Sequence, residues 1–322
     1  MQNKRADLNF FPGWTRKSVT FTMDDGNLKY DEIFLDIVRQ YGIKGTFNLC
    51  YAPPTKLSAE EFRAFYDGYE IANHCKYHPI VFDDGMPYTV SDDPFDPMTS
   101  RSYTADDPVV YNFEMPGLYK IHKYPDVEKP GGWYTVADED CYCRLIDETR
   151  AHLESVFGEG RVRGYVWPSC EQRNSKVKAH IKERGYYGVR KTGLLGDKTG
   201  YALPADRMAW TYNANHDTLL TEAEKYENVS DTDELKFFCF GLHPADFERS
   251  KKWDDLLAFA KKYGNRPEEY YYASVGEIFD YQDARNSLVV TETKICNPSE
   301  LTVYLKIDGG RLTIAPHCEI EI

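Results

Sequence analysis

Two short stretches of the 322-residue chain carry side chains suited to metal-assisted chemistry. In the first, residues 18–26, a strand-like alternation ends in two adjacent carboxylates, Asp24 and Asp25. In the second, His74 and His78 stand four positions apart, directly after another strand-like run. A catalytic zinc commonly has three protein ligands, often carboxylate and imidazole groups, and one open water position. One aspartate with both histidines fits that number, and the other aspartate remains free to act as a base.

The apolar residues predict strands and helices in alternation along most of the chain. Residues 18–23 alternate with a period of two, whereas residues 32–41 have an apolar helical face that ends at Gly42. Ser58 and Glu61 form a capping box at the start of the next helix. About seven such strand–helix units follow one another, which is typical of a parallel barrel. We therefore predict an α/β fold, a distorted (β/α) barrel of about seven strands with a small C-terminal antiparallel β appendage.

The candidate residues fall where predicted strands end. Asp24 and Asp25 follow the first barrel strand, His74 follows the third, and Pro168 and His243 follow two later strands. In a (β/α) barrel the chemistry gathers at the C-terminal ends of the strands. Taken alone, an Asp-Asp-Gly sequence usually marks a turn, and two spaced histidines often bind no metal. Their shared position at strand ends predicts that they form a single site.

Three segments depart from the alternation and define the predicted domains. Residues 1–16, which include Phe10, Phe11, Pro12 and Gly13, predict an irregular lead-in. Residues 79–135 are rich in Asp, Pro, Tyr and Gly and begin directly after the second histidine. They predict a long loop that forms a lid or cleft wall, or else a surface insertion. Residues 287–322 alternate again around a hairpin signal at 308–310, so the predicted boundary separates a barrel domain, 1–286, from this β appendage.

The composition argues against several classes of function. A net charge of −13 argues against a nucleic-acid partner, whose phosphates require a basic surface, and against an anionic membrane. The N-terminus has no apolar leader and no stretch reaches the length of a membrane span, so we expect a cytoplasmic protein without a membrane partner. The eight cysteines form no CxxC pair, which argues against a zinc ribbon.

Over roughly residues 16–284 the sequence resembles the polysaccharide deacetylases of carbohydrate esterase family 4, the NodB-homology domain. Residues 22–26 are similar to the first motif of that family. The resemblance implies that Asp24 is the general base and that Asp25 is a metal ligand.

Two further motifs of the family are matched by histidines. His74 and His78 resemble the second motif, whose two histidines bind the same metal. Residues 240–243 resemble the last motif, and the resemblance implies that His243 is the general acid.

The third motif is matched weakly, by Trp167, Pro168 and Ser169. In the family the residue after the proline is usually aromatic and offers its backbone N–H to the oxyanion, and by position that residue is Ser169. The family often has an arginine two residues before the proline, where this chain has Val166, so Arg163 is the candidate to orient the base. His216 lies in the part of the chain where the fourth motif is expected, and it is a candidate cleft residue.

The motifs and their chemistry predict a metal-dependent hydrolase that removes N- or O-linked acetyl groups from a carbohydrate or oligosaccharide. Zn²⁺ is the expected metal, although two histidines and a carboxylate also suit Co²⁺, Ni²⁺ or Fe²⁺. A bound metal polarises a carbonyl and lowers the pKa of its water from 15.7 to about 7. Two alternatives remain open at this point. One is a degenerate member that binds carbohydrate or metal without turnover, and the other is an amidohydrolase for a small non-sugar amide.

Overall fold

A computed structural model describes residues 6–50, 57–91, 109–122, 133–169, 173–230 and 234–322. Its strands are β1 (Ala6–Phe10), β2 (Lys17–Asp25), β3 (Thr46–Leu49), β4 (Glu70–Asn73), β5 (Ile80–Val81), β6 (Thr89–Ser91), β7 (Val109–Phe113), β8 (Met115–His122), β9 (Trp133–Ala137), β10 (Gly164–Val166), β11 (Gly188–Leu194), β12 (Trp210–Tyr212), β13 (Lys236–Leu242), β14 (Tyr270–Tyr272), β15 (Val289–Val290), β16 (Lys294–Cys296), β17 (Val303–Ile307), β18 (Gly310–Ile314) and β19 (Glu319–Glu321). Its helices are α1 (Leu28–Gln40), α2 (Ala59–Phe65), α3 (Glu139–Phe157), α4 (Ser175–Glu183), α5 (Leu219–Glu227), α6 (Pro244–Arg249), α7 (Trp253–Tyr263) and α8 (Val275–Asn286).

The main sheet is parallel and almost closes on itself. Its strands follow the order β12-β11-β10-β4-β3-β2-β13, and β14 pairs with the first half of β2. The two ends of this order meet, because the Asn213 backbone amide donates to the Cys239 carbonyl at 2.7 Å and the Gly241 amide donates to the Ala214 carbonyl at 2.9 Å. The predicted α/β fold with a distorted barrel is therefore confirmed.

The period-two pattern of β2 separates the core from the interior of the barrel. Val19, Phe21 and Met23 are buried among the helices, and the Phe21 ring meets Phe34 of α1 edge-on, with 4.9 Å between centroids. The alternate residues face the barrel interior, where Thr22 accepts a hydrogen bond from Asn48 of β3 at 2.7 Å. Residues 17–25 thus fix both the packing of α1 and the direction of the strand's last carboxylates.

The segment 79–135 is not the irregular loop that its composition predicts. In its described part, β5 to β9 form a second sheet in the order β5-β9-β8-β7-β6, called here the inserted sheet. It packs on α3, since Leu118 and Ala137 share a buried cluster with Cys141 and Tyr142. Residues 92–108 and 123–132 lie outside the described residues. A role of the segment as lid or cleft wall stays a prediction.

The β appendage contains the predicted hairpin, with β17 and β18 paired antiparallel around Asp308 and Gly309. The prediction that residues 1–16 are irregular is wrong, because β1 pairs antiparallel with β17. A second small sheet, in the order β15-β16-β19, completes the C-terminal region. In the described part of the chain, every helix is too short or too polar to cross a bilayer.

Candidate active site

Asp25, His74 and His78 come together at the C-terminal edge of the barrel. Asp25 ends β2 and the histidines follow β4, and one ligand atom from each of the three lies within 4.8 Å of the others. The His74 Nε2 is 3.5 Å and the His78 Nε2 is 4.0 Å from the Asp25 Oδ1. The backbone bends sharply to achieve this, with φ of 77° at Asp25, 67° at Tyr77 and 50° at His78. Such left-handed conformations in non-glycine residues are uncommon and cluster at functional sites.

His74 is oriented so that its Nε2 faces Asp25. The His74 Nδ1 lies 3.1 Å from the Val166 carbonyl, and since a carbonyl only accepts, Nδ1 carries the proton. The Nε2 lone pair is therefore free, and this buried atom has no hydrogen-bond partner among the described residues. A buried imidazole oriented through its other nitrogen is the usual state of a metal ligand. The residues present therefore fit a divalent cation.

The charge of Asp25 supports the same conclusion. Burial would raise the pKa of this carboxyl, but the neighbouring imidazoles, His74 first and then His243 and His78, hold the pKa well below its usual range. Asp25 is thus a carboxylate at neutral pH, and an anionic oxygen with two imidazole nitrogens suits Zn²⁺, Co²⁺, Ni²⁺ or Fe²⁺.

Asp24 lies beside this group and is only 5% exposed. The guanidinium of Arg190, on β11, contacts both of its carboxylate oxygens, and the Asn48 side-chain amide donates to Oδ1 at 2.7 Å. Burial acts to raise the pKa of Asp24, but the charge of Arg190 keeps it below its usual value. Asp24 Oδ2 is 4.0 Å from the His74 Nε2, so an ionised carboxylate stands next to the candidate metal ligands.

The arginine that contacts Asp24 is not the predicted one. Arg163 precedes β10, at the end of the strand opposite to the site, and it pairs with Asp280 at 2.6 Å. Arg190 is fully buried and lies next to Val166 in the parallel register of β10 and β11. The only signal in the sequence is an arginine within a short run that otherwise predicts a strand, and the sequence does not reveal what that arginine faces.

His243 directly follows β13 and faces Asp25. Its Nε2 is 3.5 Å from the Asp25 Oδ2, and its Nδ1 is 2.9 Å from the Asp246 Oδ2 on α6, which also pairs with Arg249. Burial alone would lower the pKa of His243, but the Asp246 hydrogen bond and the charges of Asp24 and Asp25 raise it to about 9. The imidazole is therefore protonated at neutral pH and can donate a proton.

With the geometry in place, a comparison with known families identifies the chain. A family model described as polysaccharide deacetylase matches residues 13–189, more than half of the chain. The chain belongs to the polysaccharide deacetylase family. The predicted resemblance is thus confirmed, and this membership makes the chain a hydrolase of amide or ester bonds. The matched residues include Asp24, Asp25, His74 and His78, whereas Arg190 and His243 lie beyond them.

Solved structures similar to this deacetylase-family chain share little sequence with it. The Xyl-CE4 domain of a multidomain xylanase from the hindgut metagenome of Trinervitermes trinervoides is 15% identical, covers 84% of this chain and 92% of that one, and has a TM-score of 0.45. Peptidoglycan deacetylase PdaC from Bacillus subtilis is 15% identical over 84% and 94% of the chains, with a TM-score of 0.44. A family 4 acetyl xylan esterase from Clostridium thermocellum, in complex with a cobalt ion, is 16% identical over 82% and 91%, with a TM-score of 0.41. No curated protein sequence matches the chain.

Three further candidates from the deacetylase motifs lie in different surroundings. Trp167 is buried in the core, where its ring packs against Tyr165 with centroids 5.4 Å apart. Ser169 is exposed at the end of the β10 segment, has a φ of 64°, and accepts a hydrogen bond from Thr192 at its carbonyl. His216 packs on Phe247 of α6, and its Nε2 is 3.3 Å from Asp217.

Proposed function

We propose that the chain is a metal-dependent deacetylase that removes N- or O-linked acetyl groups from a carbohydrate or oligosaccharide. The observation that carries this proposal is the buried Nε2 of His74, which has no hydrogen-bond partner in the described part of the chain and faces Asp25, while the ionised Asp24 stands beside both. Asp25, His74 and His78 would hold the cation, most simply Zn²⁺. When bound, such a cation polarises the acetyl carbonyl and lowers the pKa of water.

Asp24 is the proposed general base. Its carboxylate would take a proton from the attacking water, and Arg190 and Asn48 keep that carboxylate ionised and fixed in direction. A positioned base contributes roughly 10²- to 10⁴-fold to a rate. A protein that only bound carbohydrate would gain nothing from an ionised carboxylate buried against an arginine, so this pair favours turnover over the degenerate alternative.

His243 is the proposed general acid, on the side of Asp25 away from His74. Its raised pKa supports this role, because an imidazolium at neutral pH can protonate a departing amine or alkoxide. The Asp246 carboxylate accepts from Nδ1 and so directs the other N–H toward the site. The Ser169 backbone N–H is the proposed donor to the oxyanion, and one such donor is worth roughly 3 kcal/mol of the barrier.

The substrate class follows from the family and from this acid–base pair. An amide needs its leaving nitrogen protonated, which His243 would supply, and an ester would use the same groups. An acetylated amino sugar or oligosaccharide is the favoured substrate, while a small non-sugar amide is the alternative that the same machinery would cleave.

Acetate release tests the proposal directly. The purified protein, with and without a chelator, is given N-acetylated chito-oligosaccharides, acetylated xylo-oligosaccharides and a small acetanilide. We expect release from a sugar substrate that stops with chelator and returns with Zn²⁺, and we expect Asp24→Asn to bind Zn²⁺ while losing about 10³-fold in kcat. Release from acetanilide alone would support the amidohydrolase, and full turnover by Asp24→Asn would refute the assigned base.

A further inference from the structure

The inserted sheet contacts the loop that carries both candidate metal histidines. Tyr77 directly precedes His78, and its hydroxyl donates to the Glu114 carboxylate at 2.6 Å. Glu114 connects β7 to β8, and its neighbour Phe113 meets the Tyr77 ring edge-on, with 5.9 Å between centroids and 81° between planes.

The two candidate histidines are restrained differently. His74 is 1% exposed and its Nδ1 is fixed by the Val166 carbonyl, within the barrel. The His78 side chain is 37% exposed, and among the described residues no hydrogen bond holds its Nδ1. The direction of the His78 ring therefore depends on its backbone, which has positive φ at Cys75, Tyr77 and His78.

Several contacts hold this strained backbone. The Cys75 amide donates to the Asn73 Oδ1 at 2.9 Å, the Lys76 amide donates to the Thr149 hydroxyl at 2.9 Å, and the His78 amide donates to the Cys75 carbonyl at 3.1 Å. The residue directly before His78 is anchored through its side chain, on Phe113 and Glu114. Because a left-handed non-glycine residue persists only where its surroundings hold it, the Tyr77 anchor matters for the position of the ring that follows.

We propose that Tyr77 is a positioning residue, and that its contacts with Glu114 and Phe113 make the inserted sheet set the position of the metal ligand His78. The proposal rests on the proposed metal site. It gives the inserted sheet a function besides that of a cleft wall. Removing the anchor lets the His78 ring leave its ligand position, so the cation is held mainly by Asp25 and His74.

Zn²⁺ affinity, measured by competition with a chromophoric chelator on the whole protein, tests this without relying on activity. We expect Tyr77→Phe and Glu114→Ala each to weaken Zn²⁺ binding about tenfold, the scale of losses found when partners of a metal ligand are removed. Glu114→Gln keeps an acceptor for the hydroxyl and should bind within about twofold of the wild type. The matched control is Tyr119→Phe, which removes a tyrosine hydroxyl of the inserted sheet itself, one that is bonded to Tyr88, and should leave the affinity unchanged.

A double-mutant cycle shows whether the effect passes through His78. In a His78→Ala background, Tyr77→Phe should cause no further loss of Zn²⁺ affinity. Unchanged affinity of Tyr77→Phe in the wild-type background, or the same tenfold loss in the His78→Ala background, would overturn the inference while leaving the deacetylase proposal intact. Absence of Zn²⁺ binding by the wild type would overturn both.

Discussion

Arg190 reaches Asp24 from β11, and in the parallel register of the sheet it stands beside Val166 of β10. The family resemblance leads one to expect an arginine two residues before the proline, on β10 itself. In this chain the arginine comes instead from the neighbouring strand, at the same level of the barrel, and it contacts both oxygens of Asp24, the proposed base. The arrangement keeps a buried carboxylate ionised, which is the condition for its use as a base.

Removing the Arg190 charge should therefore change the pH dependence of the reaction. In Arg190→Met the pKa of Asp24 rises, because the guanidinium no longer opposes the effect of burial. When the pH is lowered, Asp24 therefore becomes protonated at a higher pH than in the wild type. The acidic limb of the kcat/KM profile should move upward by at least about one pH unit. The unfolding free energy should fall by about 3–5 kcal/mol, the typical cost of leaving one buried charge unpaired.

Arg190→Lys provides the matched comparison for that experiment. It retains the positive charge but not the planar fork, so the acidic limb should move less than in Arg190→Met while kcat still falls. pH–rate profiles and urea unfolding of both variants check these expectations. An acidic limb that stays in place in Arg190→Met would contradict the role given to this arginine.

The positions of the motif residues could be predicted from the sequence because they depend on local patterns. Each of Asp24, Asp25, His74 and His243 follows a strand whose period-two pattern is readable, and parallel strands place their C-terminal ends on one edge. Arg190 could not be found in this way. Its contact with Asp24 depends on which strands are neighbours and on their register, and neither is written in a local pattern.

The same reasoning explains where the fold prediction was wrong. The predicted capping box of Ser58 and Glu61 forms, since it needs only residues three apart. Pairing of β1 with β17 joins segments almost 300 residues apart. The alternation of Ala6, Leu8 and Phe10 with Asp7 and Asn9 is a short strand signal that the prediction of an irregular lead-in missed. In the inserted sheet, β5 and β6 have only two and three residues, and β8, although eight residues long, contains Pro116 and Gly117, which interrupt a strand pattern.

Removal of one candidate ligand should abolish metal binding, whereas removal of a histidine elsewhere should not. We expect His74→Ala to weaken Zn²⁺ binding by more than about a hundredfold, since even partners of metal ligands are worth 10- to 100-fold. His180→Ala removes an imidazole that pairs with Asp147 on the outer helices and serves as the control. Metal content after dialysis and chelator competition measure the difference. A His74→Ala protein that retains one tightly bound ion would contradict the assigned ligands.

Asp31 should make the metal-free protein less stable as the pH rises. This α1 carboxyl is fully buried, and burial raises its pKa from 3.8 to about 7. The hydrogen bond from Tyr66 opposes this shift, whereas the negative charge of Asp25 adds to it. Between these two pKa values the folded state binds more protons than the unfolded state. The contribution of Asp31 to the unfolding free energy is therefore complete below pH 3.8 and is lost as the pH rises through about 7. The slope approaches about −1.4 kcal/mol per pH unit, and the total loss is about 4 kcal/mol at most.

Urea unfolding between pH 5 and 8, in the presence of a chelator, measures this effect against two variants. Asp31→Asn cannot ionise, so its unfolding free energy should lack the decline seen in the wild type. Asp36→Asn changes an exposed carboxyl on the same helix and should keep the wild-type decline. Parallel pH dependences of the wild type and Asp31→Asn would show that Asp31 ionises alike in both states.

Asp246 should control the basic limb of the pH–rate profile through His243. Burial opposes the imidazolium of His243, and the Asp246 hydrogen bond is the largest contribution that raises its pKa to about 9. In Asp246→Asn that contribution is weakened, so the pKa falls and the acid loses its proton at a lower pH. The basic limb should therefore move downward by about one pH unit or more.

An N-acetyl substrate is the appropriate probe, because its amine leaving group requires the proton; an O-acetyl substrate should show a smaller change in kcat. Glu248→Gln is the control. Glu248 is an exposed carboxylate on the same helix and accepts a hydrogen bond from Trp253, so its replacement should leave the basic limb in place. A basic limb unaffected by Asp246→Asn would mean that a group other than His243 supplies the proton.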